Sequence, residues 1–93
     1  MKPETLTVLV ASTGHLGAAI ATGAPAPIDS LATMTGEHGW LVHVGVQLPA
    51  EFDEPAAMQV LRDVLHFAEQ HGCAYVLFDA DGPTLEQFPT YDW

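Results

Sequence analysis

The stretch from Pro55 to Phe78 constrains the architecture more than any other part of the chain. Ala57, Val60, Leu61, Val64 and Ala68 recur at helical spacing, Met58 and Leu65 widen the stripe, and Gln59, Arg62, Asp63, His66 and Glu69 fall largely outside it. This spacing predicts one amphipathic helix over Pro55 to His71. Asp53 and Glu54 precede it, where carboxylates favour the positive helix end, and proline is tolerated in a first turn. Gly72 supplies a natural stop, because glycine accepts the left-handed conformation that closes helices. Ala74 to Phe78 follows as a short, continuous apolar run and reads as a buried strand, ended by the turn signal Asp81-Gly82-Pro83.

Two further strands are predicted. Leu6 to Ser12 is rich in β-branched and aliphatic residues and stops at Thr13-Gly14. Trp40 to Leu48 alternates: Trp40, Val42, Val44, Val46 and Leu48 share one face, and Leu41, His43, Gly45 and Gln47 share the other, which is only half apolar. That second face meets solvent, a partner or a thin layer of irregular chain. Between these strands, glycines and the Ala24-Pro25-Ala26-Pro27 segment argue for an irregular excursion. A turn of helix is expected over Asp29 to Thr35, capped by Asp29 or Ser30. The expected fold is α/β (or α+β): a small three-stranded sheet, a β-α-β crossover and one main helix. In such a crossover Trp40 to Leu48 and Ala74 to Phe78 run parallel in one sheet, with the direction of the first strand left open. Ninety-three residues, 48% of them hydrophobic, fit a single domain over residues 1–93.

Charge restricts the partners. Lys2 and Arg62 oppose twelve carboxylates, for a formal net charge of -10, and eight of those net charges fall within residues 51–93. Direct binding to nucleic acid or to anionic lipid needs clustered Lys and Arg and is not expected. A basic protein surface is the fitting partner, with Glu51, Asp53, Glu54, Asp63, Glu69, Asp79, Asp81 and Glu86 as candidate contacts. The lone Cys73 has no partner for an intramolecular disulfide and no positive neighbour to activate it, and reads as a small buried residue. No secretory signal or membrane-spanning run is read, so a cytoplasmic location is expected.

Candidate chemistry is sparse. Gly14 and Gly17 after the first strand have part of the spacing of a dinucleotide-binding turn, but Ala11 stands where the first glycine belongs and no acidic residue closes the second strand, so no cofactor is expected. Phe78-Asp79-Ala80-Asp81-Gly82 resembles the first motif of haloacid-dehalogenase-type phosphatases, with Asp79 and Asp81 in the places of nucleophile and acid-base. Only twelve residues follow Asp81, none of them Lys or Arg, so the groups that would hold phosphate and metal are missing and the pair reads as turn formers. The histidines form no helical ligand pair, since His66 and His71 are five apart, and no metal is assigned. His15, Asp79 and Asp81 follow the ends of two predicted strands, where open α/β sheets place ligands, which makes them the alternative site for a small ligand or a hydrolytic reaction. The aromatic end, with Tyr91 and Trp93, is expected to dock on its own domain or on a partner.

Ser12-Thr13-Gly14-His15 after the first strand and Pro89-Thr90-Tyr91-Asp92-Trp93 at the end resemble a family of small bacterial proteins, a domain of unknown function carried on plasmids and integrative elements. Its members show a Ser-Thr-x-His step and a terminal Leu-Pro-Thr-Tyr-Asp-Trp; Phe88 stands here in place of the leucine. The resemblance implies a setting, mobile DNA, and no activity. Joined to the charge, it gives the expectation of a non-enzymatic, protein-binding inhibitor of a host defence complex that occupies a basic, nucleic-acid-binding surface. A homodimer is the third expectation, from the half-apolar strand face and the aromatic tail.

Overall fold

The computed structural model describes residues 4–21, 27–48 and 55–91. Strand β1 (Val8–Ser12) leads into one 3-10 turn (Thr13–His15), and the short helices α1 (Ala18–Ala21) and α2 (Pro27–Leu31) follow. Then come β2 (Met34–Gly36), β3 (Gly39–His43), the long helix α3 (Pro55–Gln70) and β4 (Tyr75–Asp79). The strands form one sheet in the order β1-β4-β3-β2, an α+β arrangement with one main helix.

Helix α3 follows its apolar stripe. Ala57, Met58, Val60, Leu61, Val64, Leu65 and Ala68 are buried, whereas Gln59, Arg62, Asp63, His66 and Glu69 are exposed. Its end is a Schellman closure: the Cys73 N–H donates to the Ala68 carbonyl at 2.9 Å and the Gly72 N–H to the Glu69 carbonyl at 3.0 Å, with Gly72 at φ 76°. This turn delivers the chain directly into β4. The sheet face bearing Ala11, Val42, Val76 and Phe78 packs with Leu16, Ile20, Ile28, Leu61 and Val64 into one core. Cys73 is buried at its margin.

Three expectations are corrected. The described residues form four strands, because Met34 and Thr35, read as the end of a helix, lie with Gly36 in a strand that pairs antiparallel with β3 around a two-residue Glu37-His38 turn. The helix of this region lies earlier, at Pro27–Leu31, and Asp29 accepts the Trp40 indole N–H at 2.8 Å from within it instead of capping it. β3 stops at His43, because β4 offers it no partner beyond Tyr75: Val44 N–H takes one last bond to the Ala74 carbonyl, and the chain turns, with Val46 N–H on the His43 carbonyl. Val44, Val46 and Leu48 still pack against the core, as their shared face predicted.

A further correction concerns direction. β3 and β4 are antiparallel, and the parallel neighbour of β4 is β1. Residues 44–54 separate β3 from α3, enough chain to uncouple the direction of β3 from that of β4, whereas the crossover rule binds only parallel strands. The middle of the chain is itself the long connection that a parallel β1-β4 pair requires. β3 lies close against β4: a Cβ on Gly39 would stand 1.8 Å from the Phe78 carbonyl oxygen, so this position admits only glycine without parting the strands. No described helix is long and apolar enough to cross a membrane.

Gly72 tests the helix closure cleanly, because a Cβ there would meet nothing within 4 Å. Gly72→Ala should destabilise the domain by about 1–2 kcal/mol through backbone conformation alone. Urea unfolding measures it, and an unchanged midpoint would contradict the left-handed closure.

Candidate functional site

The chemistry-bearing residues divide between a buried clasp and an open sheet face. β1 ends at Ser12, whose Oγ accepts the Gly14 N–H at 2.9 Å and so caps the 3-10 turn. The turn drops His15 into the core, where its side chain is fully buried. The Leu85 N–H donates to His15 Nε2 at 2.8 Å, so that nitrogen accepts. The hydrogen therefore sits on Nδ1, which donates to the Pro89 carbonyl at 2.8 Å. His15 is thus a neutral imidazole with both nitrogens engaged by backbone.

The same turn receives the rest of the C-terminal segment. The Tyr91 N–H donates to the Gly14 carbonyl at 2.7 Å, and the Ser12 N–H donates to the Pro83 carbonyl at 2.8 Å. The Phe88 ring stands edge-on between His15 and Phe67, with centroids 6.1 and 5.6 Å away, and this ties the segment to α3. Tyr91 is half-buried against the protein's own core. Trp93 lies outside the described residues.

The ligand constellation of His15, Asp79 and Asp81 is arranged for turns. Asp79 Oδ1 accepts the Asp81 N–H at 2.8 Å and the Asp79 carbonyl accepts the Gly82 N–H at 2.9 Å, so the resemblance to a phosphatase motif traces a strand-end turn. His15 offers no nitrogen to a ligand. Of the other histidines, His38 is exposed at the β2-β3 hairpin, its carbonyl accepting the Ala80 N–H. His43 lies edge-on to Tyr75, and its Nδ1 accepts the Gly45 N–H. Among the described residues no three His, Cys, Asp or Glu side chains are grouped to hold a metal.

The acidic candidates are dispersed. Asp63 and Glu69 lie on the exposed side of α3, where Asp63 accepts the Gln59 amide and Glu69 shares a groove of about 250 Å³ with Arg62 and His66. Asp79 and Asp81 lie at the end of β4 and Glu86 is exposed in the C-terminal segment. Glu51, Asp53 and Glu54 lie outside the described residues.

The sheet has a second face that no described element covers. Strand register sets Val10, Leu77, Leu41 and Met34 in one row across all four strands, with Val8, Tyr75 and His43 on one side of it. On the other side run Ser12, Asp79, Gly39 and Gly36. The two glycines lack side chains, and the result is an apolar groove of about 440 Å³ floored by Leu41 and Leu77. Met34 is 64% exposed and Val10 41%, which is unusual for residues of their size in a sheet. Carboxylates stand at the glycine end: Asp79 in the row itself, Asp81 just beyond it, and Glu37 on the hairpin whose backbone is bonded to Ala80. No described Lys or Arg lies on this face, since Arg62 is on α3.

Sequence reasoning marked this face only in β3, where the half-apolar side of Leu41 and His43 was read as open to solvent, a partner or a second copy, and it missed Val8, Val10, Met34 and Leu77. The signal for the rest was present in β4, which is apolar on both sides, as suits a strand buried on both, whereas the described helices cover only one. Leu85 and Pro89 were missed as the partners of His15 because they contribute backbone groups, which residue type does not reveal.

Replacing His15 by Phe keeps ring volume but leaves the Leu85 N–H and Pro89 carbonyl without partners. A loss of about 1–2 kcal/mol is expected, from two lost hydrogen bonds to backbone groups that are only part-buried. Denaturant unfolding reads the loss, and amide exchange should show Leu85 deprotected first. Full retention of stability would mean that the clasp contributes nothing.

No curated protein and no solved structure matches the chain. Residues 8–93 match the family model described as the C-terminal domain of a family of unknown function, DUF5983. The match takes in both the Ser12-to-His15 turn and the Phe88-to-Tyr91 segment, which in the fold are the two halves of one clasp, and the chain belongs to the DUF5983 family.

Proposed function

We propose that this domain is a non-enzymatic protein-binding module that docks its open sheet face on a partner surface that is apolar at the centre and basic at the rim. The observation that carries this reading is the apolar row Val10-Leu77-Leu41-Met34, flanked by Asp79 in the next register row and by Glu37 and Asp81 in the turns beyond, with no described Lys or Arg on the face. Burying such a row supplies the association, and the carboxylates select lysine or arginine around it. A formal charge of -10 adds long-range attraction to a basic partner and repels other acidic proteins. In the mobile-DNA setting that the sequence resemblance implies, the partner is the nucleic-acid-binding surface of a host defence complex, and the domain acts as its inhibitor. The reading moves the weight from the acidic residues of α3 to the sheet.

Two measurements test it. Affinity for a partner recovered from the native host should fall at least about tenfold as salt rises from roughly 0.05 to 0.5 M. Met34→Glu should abolish binding with little change in stability, because Met34 is 64% exposed. Binding indifferent to both salt and Met34→Glu would refute the proposed surface.

A further inference from the structure

The outer edge of β1 is built to accept another strand. β1 has β4 on one side and no described strand on the other. Backbone groups alternate along a strand, and the Ser12 N–H points outward, to the Pro83 carbonyl. By that alternation the N–H and C=O groups of Val8 and Val10 also point outward, while those of Leu9 and Ala11 face β4. The chain's own Pro83 therefore closes the last outward position and leaves the preceding ones open. Edge strands are ordinarily blunted by lysine, proline, a bulge or short length. The opposite edge, β2, is three residues long. Leu6 to Val10 carries none of these devices, and Leu6, Val8 and Val10 are 60%, 39% and 41% exposed.

Charge selects the occupant. Glu4 is exposed before the open stretch, and Asp79, the register partner of Ser12, and Asp81 stand at its far end. A second copy of this chain would bring another charge of -10 to the same edge. We infer that β1 pairs with an extended segment of the basic partner, one that alternates apolar residues toward the Val8-Val10 face and carries lysine or arginine at both ends. Main-chain bonds then supply affinity and the alternate side chains specificity. The inference deepens the protein-binding reading above and rests on it.

The probe is a synthetic peptide of alternating threonine and valine flanked on each side by two lysines. Titrated into the whole chain, it should slow amide exchange at Val8 and Val10. N-methylation of the peptide's protein-facing amides should weaken it about tenfold or more, the equivalent of one or two hydrogen bonds. Val10→Pro removes an outward N–H without touching the β1-β4 ladder and should weaken binding similarly; the N-methylated peptide gives the same reading should that variant fail to fold. Three results overturn strand addition: no binding at millimolar peptide, binding that leaves Val8 and Val10 exchange unchanged, or protection of these amides by self-association without peptide. The second leaves docking on the sheet face standing. Edge protection that persists at high salt and in Met34→Glu keeps strand addition and refutes the face.

Discussion

One imidazole holds the two ends of this chain together. His15 accepts a backbone hydrogen from Leu85 and donates one to the Pro89 carbonyl, and it does so at full burial, where an unmet polar group costs most. A neutral histidine is the one side chain that presents a donor and an acceptor on opposite sides of a flat ring, so it bridges an N–H and a C=O of another segment at once. The rest of the C-terminal clasp follows from that placement. Phe88 is set against Phe67, Tyr91 reaches Gly14, and Pro83 is brought beside β1. The Ser12-to-His15 turn and the Phe88-to-Tyr91 segment, far apart in sequence, are therefore one structural unit.

Elements whose cause is local were legible in the sequence. α3 carries its own stripe, stop and boundary, and β4 follows from the Gly72 turn, so both lie within a residue or two of their expected places. The alternation of Trp40 to Leu48 marked the correct inward face beyond the point where the strand itself ends. What could not be read was set by partners elsewhere. β3 ends where β4 runs out, Met34 to Gly36 becomes a strand because β3 is beside it, and the antiparallel β3-β4 pairing depends on the path of a connection, which composition does not encode. Of the candidate sites, the charge of the second half was legible as a quantity but not as a place, since a linear count does not separate the exposed side of α3 from the end of β4.

The sheet is asymmetric in a way that divides labour. Helices cover the face of Ala11, Val42, Val76 and Phe78, and stability resides there. The other face keeps Val8, Val10, Leu41, Leu77 and Met34 in register without a covering layer among the described residues, at a cost in exposed apolar area. Because the two faces share a backbone, the clasp that fixes β1 through Ser12 and His15 also fixes the position of Val8 and Val10 in the open row.

The bonds that close the clasp span 70 and 74 positions of the chain, and β1 meets its strand partner only across nearly the whole sequence. During synthesis β1 leaves the ribosome before β4 and has no β4 to pair with until the intervening elements have followed. The hairpin β2-β3, α3 and β4 are nearer neighbours in sequence, so their contacts close shorter loops than the β1-β4 pairing does. Until β4, Leu85 and Pro89 emerge to pair with β1 and capture His15, the apolar residues of β1 remain open to any other protein that offers them an edge.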